Sequence, residues 1–289
     1  MTASSPAFID RFASLASGYD VVFSDVWGVV HNGVAAFPQA CDALARFRAG
    51  GGTVILITNA PRPNEFVMRM LDRLRVPHEA YDGVVSSGDV TQGVILSRKD
   101  ERIFHVGPER DHSIFTELNV GFAPIDTADY VVCSGLYDDE RETPDDYREL
   151  LAGMRRRNLF MVCANPDLVV ERGDRLVYCA GAIADLYASL GGEVLYAGKP
   201  HRPIYEAALA RAMASCGTKP ALNRVLAIGD SVRTDLAGAA KFGVDCLFVT
   251  AGIHAEELGS RDNPDAATLR QIFAHADVAP KAVTRRLMW

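Results

Sequence analysis

The sequence predicts an α/β protein built on a doubly wound, Rossmann-like parallel sheet. Three observations carry this expectation. Short β-branched runs alternate with segments of helical period, chemically capable side chains follow directly on four of those runs, and 289 residues amount to about two domains at roughly 150 residues each.

The apolar runs fall at residues 21–23, 53–58, 102–106, 130–133, 159–163, 194–196, 224–228 and 246–250. Each has strand length, and their Val and Ile content suits a pleated, buried surface. Between them, residues 63–74 place Phe66, Val67, Met70, Leu71 and Leu74 on one helical face, and residues 203–213 do the same with Ile204, Tyr205, Ala208, Leu209 and Ala212. Pro63 and Pro203 suit a first helical turn, where the missing N–H has no intrahelical partner to lose. Strand and helix in alternation build βαβ units, hence a parallel sheet covered on both faces. Such sheets bind ligands at the carboxyl ends of their strands.

Composition narrows the function. A net charge of −7, with 30 basic against 37 acidic residues, argues against nucleic acid as a partner, because phosphate-backbone binding needs a basic surface. With 48% hydrophobic and 23% charged residues the chain has the material for a core. No apolar run approaches the ~20 residues that cross a bilayer, and residues 1–20 carry no secretion signal pattern. The six cysteines are scattered singly, as buried thiols of a reducing compartment are. A cytoplasmic protein is expected, its oligomeric state open and a homodimer among the possibilities.

The residues after the runs carry the chemistry. Asp25 follows the first, and a carboxylate there can act as a nucleophile; an aspartate in the same place can also cap a turn. Thr58 and Asn59 offer a hydroxyl and N–H groups to a phosphate, or a plain helix cap. Lys199, in Gly-Lys-Pro, can neutralise anionic charge or sit solvated in a loop. Asp230 and Asp235, in Gly-Asp-Ser-Val-Arg-Thr-Asp, present the hard oxygens that Mg2+ takes, although a capping role fits equally well.

Asp, Thr, Lys and Gly-Asp in this order resemble the four motifs of the haloacid dehalogenase superfamily, and the whole chain is similar to its NagD-like subfamily IIA. The resemblance also covers Asn165-Pro166-Asp167 and Gly181-Ala182. It implies a phosphatase with Asp25 as nucleophile, with Thr58, Asn59 and Lys199 on the phosphate, and with Mg2+ held by Asp25, the Trp27 carbonyl, Asp230 and Asp235. Only 33 positions separate Asp25 from Thr58, whereas 141 separate Thr58 from Lys199. The resemblance places an α/β cap domain in that long interval, at residues 90–190, with the core formed by 1–89 and 191–289. It makes residues 165–174 a specificity loop in which Asn165, Asp167 and Arg172 face substrate.

One position departs from the pattern. The superfamily's phosphatases carry a second acid two residues after the nucleophile, which protonates the leaving oxygen; Trp27 stands there, and indole cannot serve. His31 is the candidate substitute, its ordinary pKa lying near about 6.5. The expected activity is therefore hydrolysis of a small phosphorylated metabolite with a good leaving group. The alternative is a phosphate-ligand binding protein of the same fold.

Overall fold

A computed structural model describes residues 7–172, 175–260 and 263–289, without the side chains of residues 171 and 172. The chain divides into two compact units. One comprises Met1–Thr58, Met68–Val85 and Tyr205–Trp289, the other Asn59–Val67 and Ser86–Ile204.

The first unit is organised by a seven-stranded sheet in the order Ala7–Phe8, Ala282–Thr284, Asp245–Val249, Val225–Gly229, Val21–Asp25, Thr53–Thr58, Gly83–Ser86. Val21–Asp25 pairs in parallel with Thr53–Thr58 on one side and Val225–Gly229 on the other. These strands are buried on both faces, Val22, Phe23, Val54, Ile55 and Leu56 all being 0% exposed, which is why they read as continuous apolar runs. After Val21–Asp25 the chain winds outward one way through Thr53–Thr58, and after Val225–Gly229 the other way through Asp245–Val249 and Ala282–Thr284. The boundary between Val21–Asp25 and Val225–Gly229 is thus a topological switch point, where a doubly wound sheet opens a crevice for ligands. Helix Pro38–Ala49 begins with the proline that its first turn tolerates, and buries Ala40, Ala43, Leu44 and Phe47 at helical spacing.

The second unit carries a five-stranded sheet in the order Val194–Tyr196, Phe160–Cys163, Tyr130–Cys133, Arg102–Val106, Gly121–Phe122, every pair parallel. Alternate residues feed two cores. Val131, Cys133, Met161 and Cys163 join Leu151, Met154, Ile183 and Tyr187 on one side, while Tyr130, Val132, Val162 and Ala164 join Ile95 and Ile114 on the other. Val169–Arg172 and Arg175–Tyr178 form an antiparallel pair apart from this sheet. The Rossmann-like parallel core and the additional α/β sheet expected for an insertion are both present.

Three of the shortest strands carry too little pattern to be read from sequence: Ala7–Phe8, Gly121–Phe122 and Ala282–Thr284, none longer than three residues. Val194–Tyr196 pairs with Phe160–Cys163, so Gly198 and Lys199 follow a strand of the smaller sheet and not one of the larger. All six cysteines are free thiols, five of them buried and Cys216 exposed. No helix among the described residues is long and apolar enough to cross a membrane.

Candidate active site

Parallel register explains why three carboxylates meet in the first unit. Ile228 stands opposite Ser24, so the adjacent strands release Asp25 and Asp230 at neighbouring ends. Asp235 arrives from the π-helical turn Val232–Leu236, which Ser231 caps by accepting the Thr234 N–H at 3.3 Å. One carboxylate oxygen from each of Asp25, Asp230 and Asp235 lies within 4.8 Å of the other two, and all three residues are buried.

Glycines make this convergence sterically possible. A Cβ on Gly28, whose φ is +81°, would fall 2.1 Å from Asp230 Oδ2; one on Gly252 would fall 1.8 Å from the same atom, and one on Gly229 would fall 2.1 Å from Asp235 Cγ. Backbone donors hold the acids in place. Ile253 N–H donates to Asp230 Oδ2 at 2.8 Å, and Ser231 N–H to Asp235 Oδ2 at 3.1 Å. Three buried carboxylates repel one another unless a cation lies among them. The donor set is all oxygen and hard, which suits a small divalent cation such as Mg2+.

Trp27 and His31 belong to the same loop. Trp27 is 47% exposed, while His31 is 0% exposed. His31 Nδ1 accepts the Gly33 N–H at 2.9 Å, and burial pushes its pKa down to about 4. A buried ring held below its ordinary pKa has no imidazolium proton to give at pH 7, which weighs against His31 as the substitute acid. Its place is inside the loop.

In the second unit, Asn59 organises its neighbours. Its Oδ1 accepts the Lys199 N–H at 2.7 Å, and its Nδ2 donates to the Lys199 carbonyl at 3.0 Å and to Asp167 Oδ1 at 2.9 Å. Asn59 and Lys199 are both buried. Asn165 Oδ1 accepts the Asp167 N–H at 3.1 Å, an Asx turn, so its side chain shapes the loop. That turn rests on Gly181, where a Cβ would fall 2.4 Å from the Pro166 carbonyl oxygen. Arg172 ends the strand Val169–Arg172; its side chain lies outside the described residues, as do residues 173 and 174 of the expected specificity loop. Thr58 ends its strand half-buried.

Sequence reasoning passed over a second polar group at strand ends of the smaller sheet. His105 Nε2 and Ser134 Oγ are 2.9 Å apart. Ser134 also hydrogen-bonds Asp111, whose pKa burial raises against the opposing Arg62 and Arg110 charges. Arg62 approaches Asp111 at 3.7 Å, and its backbone packs so closely on Gly88 that a Cβ there would lie 2.3 Å away. Nothing in the local sequence marks these residues, because they are scattered and converge only through the parallel sheet.

A Rossmann-like sheet with a buried triad of aspartates at its switch point defines an α/β protein equipped to hold a divalent cation at its ligand-binding edge. Comparison with known proteins gives that class a family. A model described as haloacid dehalogenase-like hydrolase matches residues 22–121, and a second, HAD-hydrolase-like, matches residues 196–276. The structure of a hydrolase of the haloacid dehalogenase-like family from Brucella suis 1330 is 49% identical over 97% of this chain and 100% of that one, with a TM-score of 0.84. The chain belongs to the haloacid dehalogenase-like hydrolases. More distant likenesses of fold include a possible sugar phosphatase from Cytophaga hutchinsonii, 21% identical over 96% of this chain and 97% of that one with a TM-score of 0.76. A p-nitrophenyl phosphatase from Archaeoglobus fulgidus is 20% identical over 92% and 95%, with a TM-score of 0.71. No curated protein matches the chain.

Proposed function

We propose that the protein is a Mg2+-dependent phosphohydrolase of the NagD-like subfamily, acting on a small phosphorylated metabolite through an aspartyl-phosphate. The observation that carries this reading is the cluster of Asp25, Asp230 and Asp235, three buried carboxylates with oxygens within 4.8 Å. Solved structures named as a possible sugar phosphatase and a p-nitrophenyl phosphatase share the fold.

In this reading Asp25 attacks phosphorus in line, the leaving oxygen departs with the electron pair of the broken P–O bond, and water then hydrolyses the acyl-phosphate. Asp25, the Trp27 carbonyl, Asp230 and Asp235 would hold Mg2+, which when bound would offset charge on the transferring group. The Thr58 hydroxyl and the Asn59 backbone N–H donate to phosphate oxygens and Lys199 supplies positive charge, the Asn59 side chain fixing the Lys199 backbone. Asp167 and Arg172 contact substrate from the insertion, taken as residues 90–190. A cytoplasmic setting fits the free thiols.

Trp27 decides the kind of substrate. A positioned general acid contributes about 10²- to 10⁴-fold in rate, so its loss raises the barrier by about 3 to 5.5 kcal/mol for leaving groups that need a proton. Esters of acidic alcohols, acyl phosphates and anhydrides escape that cost. Activity should therefore rise steeply as leaving-group pKa falls, and Trp27→Asp should gain most on alkyl phosphates. A rate independent of leaving-group pKa would overturn this.

A second reading has its own support in the neutral His31 and the missing acid: a protein that binds a phosphorylated ligand with little turnover. Tight Mg2+-dependent binding without hydrolysis across a broad panel would favour it.

A further inference from the structure

The setting of Trp27 is unusual for so large a side chain. The residue is 47% exposed, yet it stands two residues from Asp25 and next to Gly28, the residue whose Cβ position falls 2.1 Å from Asp230 Oδ2. Part of the ring is fixed. A Cβ on Gly33, at φ +84°, would lie 2.3 Å from the indole Cη2, so the ring closes directly over that glycine. His31 meets the indole edge to face, with centroids 5.3 Å apart and planes at 75°, and it is joined to Gly33 by the 2.9 Å hydrogen bond to Nδ1. Gly33, His31 and the indole therefore support one another. An aromatic ring held by such contacts and still partly exposed loses little entropy when a second ring stacks on it.

We propose that the exposed indole surface of Trp27 is a stacking platform for a planar aromatic leaving group, so that the substrates of this site are aryl phosphate monoesters. The proposal rests on the phosphohydrolase reading and names its substrate class. Two independent requirements point to the same chemistry. Stacking selects a planar aromatic group, and the missing acid selects an oxygen that leaves without a proton. A phenol, with a pKa near about 10 as in tyrosine, meets both. In the transfer step the Asp25 carboxylate oxygen bonds to phosphorus, the P–O(aryl) bond breaks, and its electron pair leaves on the phenolate.

The test compares substrates matched in leaving-group pKa, one an aryl phosphate and the other a fluoroalkyl phosphate, so that acidity cannot account for a difference. Wild type should prefer the aryl ester about tenfold in kcat/KM, the scale of one aromatic pair. Trp27→Leu should erase that preference and Trp27→Phe should retain most of it. A binding measurement separates the platform from turnover: benzylphosphonate should quench Trp27 fluorescence in a Trp289→Phe background, and by calorimetry should bind Trp27→Leu about tenfold more weakly. Equal treatment of the matched esters, or a preference that survives in Trp27→Leu, overturns the platform even where hydrolysis is robust. Benzylphosphonate binding that depends on Trp27, with no ester turned over, supports the platform and overturns the phosphohydrolase reading.

Discussion

Gly28→Ala is the change most sharply defined by the geometry of the acid cluster. The new methyl would start 2.1 Å from Asp230 Oδ2, whereas ordinary contact begins near about 3.4 Å, so the carboxylate oxygen must retreat by about 1.3 Å. Asp230 has little freedom to comply, since Gly252 approaches the same oxygen and Ile253 N–H holds it at 2.8 Å. A Mg2+ ligand must stay within about 0.2 Å of its position near 2.0–2.1 Å, so the displacement removes Asp230 from the coordination sphere. Disturbing even outer-shell partners costs metal sites about 10- to 100-fold in affinity, and losing a direct ligand should cost at least the upper figure. A second penalty comes from the backbone: alanine at φ +81° costs ~1–2 kcal/mol. Gly51→Ala isolates that term, because Gly51 has φ +93° and nothing within 4 Å of its Cβ position. Mg2+ titration by calorimetry, with melting temperatures of both variants, should show the backbone destabilisation alone in Gly51→Ala, and a larger destabilisation with lost Mg2+ affinity in Gly28→Ala. Equal Mg2+ affinity in the two would refute the argument that Gly28 shapes the Asp230 site.

Other consequences can be measured separately. Asn59→Ala removes three hydrogen bonds, two of them to the Lys199 backbone, so kcat/KM should fall by at least tenfold and further than in Asp167→Ala; similar losses in both would deny Asn59 its organising role. Burial lowers the pKa of His105 to about 4, with the His112 charge adding to the effect; the unfolded chain, near 6.5, therefore binds more protons between pH 6.5 and 4. Stability should fall as pH drops through that window, and the fall should be shallower in His105→Gln; parallel profiles would contradict it. Leu56→Ala, at a residue 0% exposed in the central sheet, should cost about 2–5 kcal/mol in denaturant unfolding, and a loss under about 1 kcal/mol would show that the core refills.

Much of the larger sheet is legible in the sequence because parallel strands buried on both faces leave continuous apolar runs, as at residues 53–58. The acids of the cluster are legible for a related reason: ligand chemistry in such folds collects where those runs stop, and Asp25 and Asp230 lie at two such ends. Hidden from sequence are features that depend on which strands become neighbours. Val194–Tyr196 looks like any core strand until its pairing with Phe160–Cys163 assigns it to the smaller sheet. His31 offers the right functional group at the right distance along the chain, but the loop that carries it folds the ring inward, where it is 0% exposed and bonded to Gly33. The Asp111, Ser134 and His105 group is invisible for the same reason: His105 lies in the strand Arg102–Val106, Asp111 in the 3-10 turn Glu109–Phe115 after it, and Ser134 just beyond the neighbouring strand Tyr130–Cys133.

The central claim is that Asp25 forms the covalent bond to phosphorus. The most direct measurement is p-nitrophenyl phosphate turnover by wild type and Asp25→Asn, each with Mg2+ and again after EDTA. Turnover that needs Mg2+ and is abolished in Asp25→Asn, with the fold of the variant intact by circular dichroism, is the predicted result. Asp25→Asn as active as wild type, or wild-type turnover indifferent to EDTA, would contradict the account.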